Sequence, residues 1–211
     1  MFAVKGLLIT LEGVDACGKS TQMSLVKKWL TSIDIPHVLT REPGGVPQAD
    51  IVRSLLSRSG NQWSSMGQAL LLNAARVEHT VAFITPNLSA GRHVICDRYF
   101  DSTLAYQGQG DPERVEKLLM IHKMAVGNVI PDLTLWLDVD AERLNTRLQR
   151  RAQQGEVHDF EKKKNLQELA RKGYQYLHQQ FPDRIKRIEA DMSVAEVSYI
   201  IQKYIMQYLG L

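Results

Sequence analysis

Residues 13–20 form a candidate phosphate site. They read Gly13-Val14-Asp15-Ala16-Cys17-Gly18-Lys19-Ser20 and fit the pattern G-x-x-x-x-G-K-[ST]. Glycines permit the backbone angles that turn consecutive N–H groups inward around an anion. In such a loop the lysine reaches the β- and γ-phosphates of a nucleotide, and the next hydroxyl binds Mg²⁺. The apolar run before the loop and the helical spacing after it predict the strand–loop–helix setting that this motif requires.

A second candidate site follows another apolar run, where the chain reads Asp97-Arg98-Tyr99. An acidic residue at a strand end beside a phosphate loop is well placed to hold Mg²⁺ through water. Arg98 would present a planar fork to a phosphate. The alternative is a structural ion pair at the strand end. Asp138, which ends another strand, is a second candidate for the metal role.

A cluster of arginines follows Asp138. Arg143, Arg147, Arg150 and Arg151 stand at i, i+4, i+7 and i+8, so they share one helix face. Such a run is often a solvated basic face. It also suits a lid whose arginines neutralise charge on a transferring phosphoryl group.

Two weaker signals lie elsewhere. Arg76 falls in a helical pattern rich in Leu and Ala, where a buried arginine needs a partner. The hydroxyl and amide groups of residues 102–108 suit the edge of a base, although they equally suit loop capping.

The elements that position these residues alternate between strand and helix. Strands are predicted near residues 7–11, 37–41, 93–97, 133–138 and 185–190. Helices are predicted over 21–30, 48–57, 65–90, 141–153 and 161–180, and others begin at Asp111-Pro112 and at Ser193. Pro86 predicts a break near Thr85. The pattern predicts an α/β fold with a five-stranded parallel sheet flanked by helices on both faces, and ligands bind at the carboxyl ends of such strands.

Length and composition indicate one soluble domain. The chain has 211 residues, 44% hydrophobic and 23% charged, with a net charge of +3 that is too small to indicate a nucleic-acid surface. No run is long and apolar enough to predict a signal peptide or a membrane span. The cysteines, Cys17 and Cys96, form no disulfide framework. We therefore expect a cytoplasmic protein with no nucleic-acid or membrane partner.

Phosphate loops serve several classes of protein. The Asn-Lys-x-Asp run expected of a GTPase is absent from the sequence, and a motor ATPase usually needs a longer chain. A small kinase needs a second, arginine-rich phosphate pocket and a cover that excludes water. Candidates for both are present. A nucleotide-binding switch without turnover is the alternative from another class.

Together these motifs resemble the thymidylate kinase family, which phosphorylates dTMP to dTDP with ATP. The resemblance runs from Leu11 to near Tyr174, through Thr40-Arg41-Glu42-Pro43-Gly44-Gly45, Ala74-Ala75-Arg76, residues 97–99, 101–108 and 131–138. It implies a single P-loop nucleoside monophosphate kinase domain over residues 1–211, with a lid at about 143–160. It also implies an enzyme that serves dTTP synthesis and is typically a homodimer.

The resemblance assigns roles to individual residues. It implies catalytic roles for Lys19, Arg98, Arg147, Arg150 and Arg151. It implies an ATP site of Gly13, Val14, Asp15, Ala16, Cys17, Gly18, Lys19, Ser20 and Thr21, with Mg²⁺ at Ser20 and Asp97. It implies a dTMP site of Asp15, Arg41, Glu42, Pro43, Arg53, Leu72, Arg76, Arg98, Ser102, Thr103, Tyr106 and Gln107.

This sequence departs from the family pattern at several positions. The loop has Ala16 and Cys17 where some members place a basic residue, so the chain resembles the type whose catalytic arginines lie in the lid. Leu72 replaces the usual aromatic residue that stacks on thymine, which brings dUMP into consideration as a substrate. His158-Asp159 replaces an Asp-Arg pair in the lid. Cys17 lies at a helix N-terminus beside Lys19, a setting that predicts a reactive thiol protected by ATP.

Overall fold

A single parallel sheet organises the fold. The computed structural model describes residues 5–58, 63–153 and 164–211. The strands are β1 (Leu8–Glu12), β2 (His37–Arg41), β3 (His93–Asp97), β4 (Leu133–Asp138) and β5 (Ile185–Glu189). They are all parallel and lie in the order β2-β3-β1-β4-β5. The predicted five-stranded α/β fold is confirmed, and the predicted strands are correct to within about one residue.

The register brings the candidate site residues to one edge of the sheet. Leu11 of β1 and Arg41 of β2 both pair with Asp97 of β3, and Glu12 pairs with Trp136 of β4. Every residue of β1 and β4 is buried, as expected for central strands covered on both faces. The loops that follow β1, β2 and β3 therefore start close together at the carboxyl edge.

Helices connect the strands and flank the sheet. They are α1 (Lys19–Ser32), α2 (Pro47–Ser57), α3 (Ser65–His79), α4 (Thr85–Ser89), α5 (Phe100–Thr103), α6 (Pro112–Val126), α7 (Ala141–Gln153), α8 (Lys164–Gln180) and α9 (Val194–Leu209). The predicted caps are confirmed, because Asp111 accepts from the backbone N–H of Arg114 and Ser193 forms a capping box with Glu196. None of the helices in these described ranges is long and apolar enough to cross a membrane.

The segment predicted as one long helix over 65–90 is interrupted. After α3, residues Thr80–Ile84 form a π-helical turn that leads into α4. The break predicted near Thr85 is thus present, but the change in geometry begins at Thr80. The physical reason is Pro86, which has no N–H to donate and whose ring crowds the turn before it. Asn87 Nδ2 donates to the carbonyl oxygen of Phe83 at 2.7 Å, which adds a side-chain hydrogen bond to this turn.

Helix α8 packs closely on the chain that follows α5. Residues Leu104–Gly108 form a second π-helical turn against α8. A Cβ atom on Gly173 would lie only 2.4 Å from the carbonyl oxygen of Ala105. Glycine is therefore required at this crossing, and the crossing brings polar side chains of α8 to the carboxyl edge of β1.

Candidate active site

The phosphate loop joins β1 to α1. Gly13 and Gly18 have φ angles of 140° and 108°, which favour glycine. A Cβ atom on Gly13 would lie 2.5 Å from the carbonyl oxygen of Leu137. Lys19 is 7% exposed, and its Nζ donates to the carbonyl oxygens of Gly13 and Val14 at 3.1 and 3.0 Å. The lysine predicted to bind phosphate therefore lies across the mouth of its own loop.

Cys17 is enclosed by the same loop. Its side chain is 2% exposed, and Lys19 Nζ lies 3.7 Å from its Sγ. Alkylating reagents reach a buried thiol only when the surrounding structure opens. The predicted alkylation of Cys17 therefore depends on opening of the loop.

Arg98 links the loop to the segment after β3. It forms an ion pair with Asp15, and its Nη1 donates to Ser102 Oγ at 3.1 Å and to the Tyr174 hydroxyl at 3.4 Å. Its guanidinium also lies 5.2 Å from the ring centroid of Tyr106. Burial alone would lower the pKa of Arg98, but Tyr106 and then Asp15 raise it well above its ordinary value. Arg98 is thus held as a permanent cation beside the phosphate loop.

Asp15 has a second partner on α8. Gln167 Nε2 donates to Asp15 Oδ2 at 2.9 Å, and Gln167 Oε1 accepts from the backbone N–H of Asp15 at 3.0 Å. Burial pushes the pKa of Asp15 upward, but the charges of Arg98 and Lys19 outweigh burial and lower it. The sequence does not predict the role of Gln167, because no local pattern shows that α8 crosses the loop.

Glu12 is a further site residue that is absent from the sequence predictions. It is fully buried, and it accepts from the backbone N–H of Tyr99 at 2.7 Å, from Ser102 Oγ at 2.6 Å and from the Tyr174 hydroxyl at 2.8 Å. Burial, followed by the charge of Asp101, raises its pKa to about 7. An acidic residue at the end of a largely apolar strand was the available signal, because a buried charge requires partners.

Two acidic residues compete for the metal role, and their surroundings differ. Both Asp138 oxygens are occupied, since Arg171 Nε lies 2.6 Å from Oδ1 and Arg187 Nη2 lies 2.7 Å from Oδ2. Asp97 Oδ1 is buried and has no hydrogen-bond partner in the part of the chain that the structure describes. Asp97 and Ser20 also border one cavity of about 400 Å³. Because this carboxylate oxygen has no hydrogen-bond partner among the described residues, Asp97 is the stronger candidate for binding the metal ion.

One of two neighbouring arginines, the last residue of β2, borders the same cavity. Arg41 lines it, and Arg53 of α2 donates to the carbonyl oxygen of Pro43 at 3.1 Å. Burial and then the charge of Arg41 lower the pKa of Arg53. Two neighbouring cations that repel each other are an arrangement that an anionic ligand stabilises.

Arg76 is buried within a polar cluster. It is 2% exposed, its Nε donates to Glu42 Oε2 at 2.8 Å, and its Nη2 donates to Thr103 Oγ1 at 3.1 Å. His79, another residue absent from the sequence predictions, lies between Glu42 Oε1 at 3.0 Å and Thr40 Oγ1 at 2.7 Å. The partner that a buried arginine requires is therefore Glu42.

Two further predicted base-site residues are close in sequence to members of this cluster: Leu72 lies four residues before Arg76, and Gln107 lies four residues after Thr103. Gln107 is buried, and its Nε2 donates to Gln68 Oε1 at 3.2 Å. Its Oε1 is buried without a hydrogen-bond partner among the described residues, so it retains a free acceptor. Leu72 is half-buried on α3, one turn before Arg76.

Only part of the predicted lid can be placed. Arg147 of α7 donates to the carbonyl oxygens of Ala16, Cys17 and Ala190 at 3.5, 3.4 and 3.1 Å. Its guanidinium thus lies against the backbone of the phosphate loop. The side chains of Arg150 and Arg151, and residues His158 and Asp159, lie outside the described part of the chain.

Comparison with known proteins identifies the family. The thymidylate kinase family model matches residues 11–201. The chain belongs to the thymidylate kinase family. It is 40% identical over 196 residues to a thymidylate kinase of Alkalilimnicola ehrlichii, with 92% of this chain and 89% of the relative covered. It is 35% identical over 208 residues to that of Nostoc punctiforme, with 97% of both chains covered.

A solved structure agrees with this assignment. The thymidylate kinase of Ehrlichia chaffeensis superimposes with a TM-score of 0.75 at 30% identity, covering 96% of this chain and 99% of that structure. The fold and activity predicted from the sequence are therefore confirmed. The protein is an ATP-dependent kinase that transfers the γ-phosphoryl group to dTMP and gives dTDP and ADP.

Proposed function

We propose that this family member performs an in-line transfer between two phosphate sites that meet at Asp15 and Arg98. The observation that carries the proposal is their ion pair, which joins the phosphate loop to an arginine outside it. The acceptor phosphate of dTMP is itself the nucleophile, so no covalent enzyme intermediate is required. Catalysis then consists of positioning and of stabilising negative charge.

The donor site comprises residues 13–21. Lys19 would exchange its two carbonyl partners for phosphate oxygens when ATP binds, which is a gain because a charged partner forms the stronger hydrogen bond. Arg147 would hold the loop backbone in place. Arg150 and Arg151 would supply the catalytic positive charge from the lid, as the family resemblance implies.

Mg²⁺ is the proposed cofactor, and Ser20 with Asp97 would hold it. The fit rests on the unpartnered, buried Oδ1 of Asp97 and on the cavity that both residues border. Carboxylate and hydroxyl oxygens are suitable ligands for this ion. When bound, Mg²⁺ would neutralise charge on the phosphate oxygens.

The acceptor site would use the remaining arginines. Arg98 would bind the dTMP phosphate bidentately, and Arg41 and Arg53 would add positive charge. Glu42 and Pro43 would border the sugar. The thymine site would consist of Leu72, Arg76, Ser102, Thr103, Tyr106 and Gln107. The free acceptor of Gln107 suits an N–H donor of a pyrimidine base.

We also propose a homodimer in the cytoplasm. Apolar side chains are exposed on consecutive helical segments, including Ile51 at 69%, Leu70 at 51% and Val81 at 68%. Neighbouring exposed apolar residues favour a protein interface. Sedimentation of the purified protein measures its mass directly, and a monomer at all concentrations would rule out the dimer.

A substrate panel tests the function. ADP formation from ATP is measured with dTMP, dUMP, dCMP, dGMP and thymidine, and we expect dTMP to give the largest kcat/KM. For Arg98→Ala we expect the KM for dTMP to rise by about 10- to 100-fold, since a charge-assisted hydrogen bond contributes roughly 1.5–3 kcal/mol. Arg114→Ala is the matched control, because Arg114 is 59% exposed on α6.

The panel also tests the alternative of a nucleotide-binding switch. A switch needs no second phosphate pocket, and Arg98 and Arg53 argue against it. Binding of ATP without ADP formation from any monophosphate would favour the switch. Unchanged kinetics of Arg98→Ala would contradict the role proposed for Arg98.

A further inference from the structure

Glu12 lies at the centre of a hydrogen-bond network behind Arg98. Its Oε1 accepts from the backbone N–H of Tyr99, the residue after Arg98, at 2.7 Å. Its Oε2 lies 2.6 Å from Ser102 Oγ and 2.8 Å from the Tyr174 hydroxyl. The same two hydroxyls are the ones that Arg98 Nη1 contacts. Each of these two hydroxyls therefore bridges the Glu12 carboxylate and the Arg98 guanidinium.

The chemistry of the groups limits the directions of these hydrogen bonds, and the Ser102 and Tyr174 hydroxyls also lie 2.8 Å from each other, where either can donate. Each hydroxyl has one proton to donate, and an ionised carboxylate can only accept. When Ser102 and Tyr174 both donate to Glu12, their oxygen lone pairs remain available to Arg98, which can only donate. A neutral group at position 12 that offers a hydrogen would turn one hydroxyl toward Arg98. Two donors would then face each other.

We propose that Glu12 is a positioning residue for phosphoryl transfer, which orients the Ser102 and Tyr174 hydroxyls so that they hold the Arg98 guanidinium toward the acceptor phosphate. The inference rests on the proposed role of Arg98. The backbone supports it as well, because Arg98 has a φ of 69°, which few non-glycine residues adopt. The bond from Tyr99 N–H to Glu12 fixes the chain directly after this strained residue.

The surroundings of Glu12 make ionisation of its carboxyl group energetically unfavourable. The charged or titratable groups that act on it are Arg98 after β3, Cys96 of β3, Asp101 of α5, Tyr174 of α8 and Arg184 before β5. Asp101 is itself paired with Arg184, at 2.6 Å. Burial and Asp101 raise the pKa of Glu12 to about 7. Ionisation of a buried carboxyl group whose pKa is raised in this way lowers the stability of the folded state.

Glu12→Gln tests the inference by separating activity from stability. We expect the KM for dTMP to rise about tenfold while the KM for ATP changes less than about twofold. The melting temperature at about pH 8 is expected to stay the same or to rise, because the buried charge is removed. Glu113→Gln is the matched control, since Glu113 is 78% exposed on α6. It is expected to leave all three quantities unchanged.

A pH series gives a second readout. The ratio of wild-type to Glu12→Gln kcat/KM for dTMP is measured from about pH 6 to about pH 9. Ionisation of dTMP itself cancels in this ratio. We expect the ratio to approach one at the acidic end, where wild-type Glu12 is also neutral, and to rise through about pH 7.

The outcomes are distinguishable. An unchanged KM for dTMP, a pH-independent ratio, or an equal loss toward both substrates with a lower melting temperature would overturn the inference. If Glu12→Gln fails to fold, Tyr174→Phe removes one of the two hydroxyls and is expected to raise the KM for dTMP selectively. Failure of the proposed function has another signature, in which Arg98→Ala leaves the KM for dTMP unchanged.

Discussion

The carboxylate of Asp15 and the guanidinium of Arg98 form an ion pair between the phosphate loop and the residue that follows β3. The two side chains are 19% and 17% exposed, so water screens the pair only partly. The pair brings the proposed donor and acceptor halves of the site into direct contact. It also makes the stability of the protein depend on pH.

Asp15→Asn is expected to destabilise the protein by about 1–2 kcal/mol near pH 7, which urea unfolding measures. The folded state lowers the pKa of Asp15 below 3.8, so its stabilisation is fully present above that value. It is lost as the pH falls through the lower folded value. The variant and the wild type should therefore converge in acid. Glu113→Gln, in an exposed pair with Lys117, should change stability by less than about 0.5 kcal/mol, and equal losses in both variants would contradict the prediction.

Arg147→Ala is expected to raise the KM for ATP about tenfold, because Arg147 donates to carbonyl oxygens of the loop at Ala16 and Cys17. Initial rates at varied ATP measure this. Arg143→Ala is the control, since Arg143 is 61% exposed on the same helix. A large fall in kcat with an unchanged KM for ATP would instead support the catalytic role that the sequence suggested for Arg147.

Leu72→Phe is expected to lower the KM for dTMP by about two- to tenfold. An aromatic ring that stacks on a base contributes roughly 0.5–1.5 kcal/mol beyond the area it buries. The measurement is a comparison of KM for dTMP and dUMP in both proteins. Met124→Phe, at a position 87% exposed on α6, is the control for adding an aromatic ring at an exposed position. An unchanged KM for dTMP in Leu72→Phe would show that the base does not stack on residue 72.

Alkylation of Cys17 is expected to be slow, to inactivate the enzyme and to be slowed further by ATP. The thiol is 2% exposed and lies within the loop that would bind the triphosphate. Mass spectrometry of the modified peptides distinguishes alkylation at Cys17 from alkylation at Cys96, which is also buried. Equal rates of modification with and without ATP would show that Cys17 is outside the nucleotide site.

His122 is expected to destabilise the protein in mild acid. Its ring stacks on Phe100 at a centroid distance of 4.2 Å, and burial followed by the charge of Arg76 lowers its pKa from 6.5 to about 4. The unfolded chain therefore binds a proton below pH 6.5 that the folded chain excludes. Stability falls between those two values by up to about 3 kcal/mol. Thermal melts of His122→Leu should lack this fall, and an unchanged pH dependence would contradict the prediction.

The outline of the fold follows from local patterns. Strands are short apolar runs ended by polar residues, and the caps at Asp111 and Ser193 mark two helix starts. Lys19, Asp97 and Arg98 belong to short motifs, so their roles can be predicted from the residues next to them in the chain. Their common location follows from the parallel order of the strands.

The supporting residues could not be found in this way. Gln167 contacts Asp15 across 152 positions, and Tyr174 contacts Glu12 across 162. Both contacts depend on the angle at which α8 crosses the Leu104–Gly108 turn, and the close approach of Gly173 to Ala105 fixes that crossing. No periodic pattern encodes such an angle. Glu12 alone carried a local signal, as an acid within an apolar strand.

The variable positions of the phosphate loop are held from two sides. Arg147 of α7 binds the backbone at Ala16 and Cys17, and Gln167 of α8 binds Asp15. A loop transplanted here from another nucleotide-binding protein would keep its glycines and lysine but lose these attachments. The unit that can be exchanged between such proteins is therefore the loop together with both helices. Swapping it as a whole is the rational route to a chimeric enzyme.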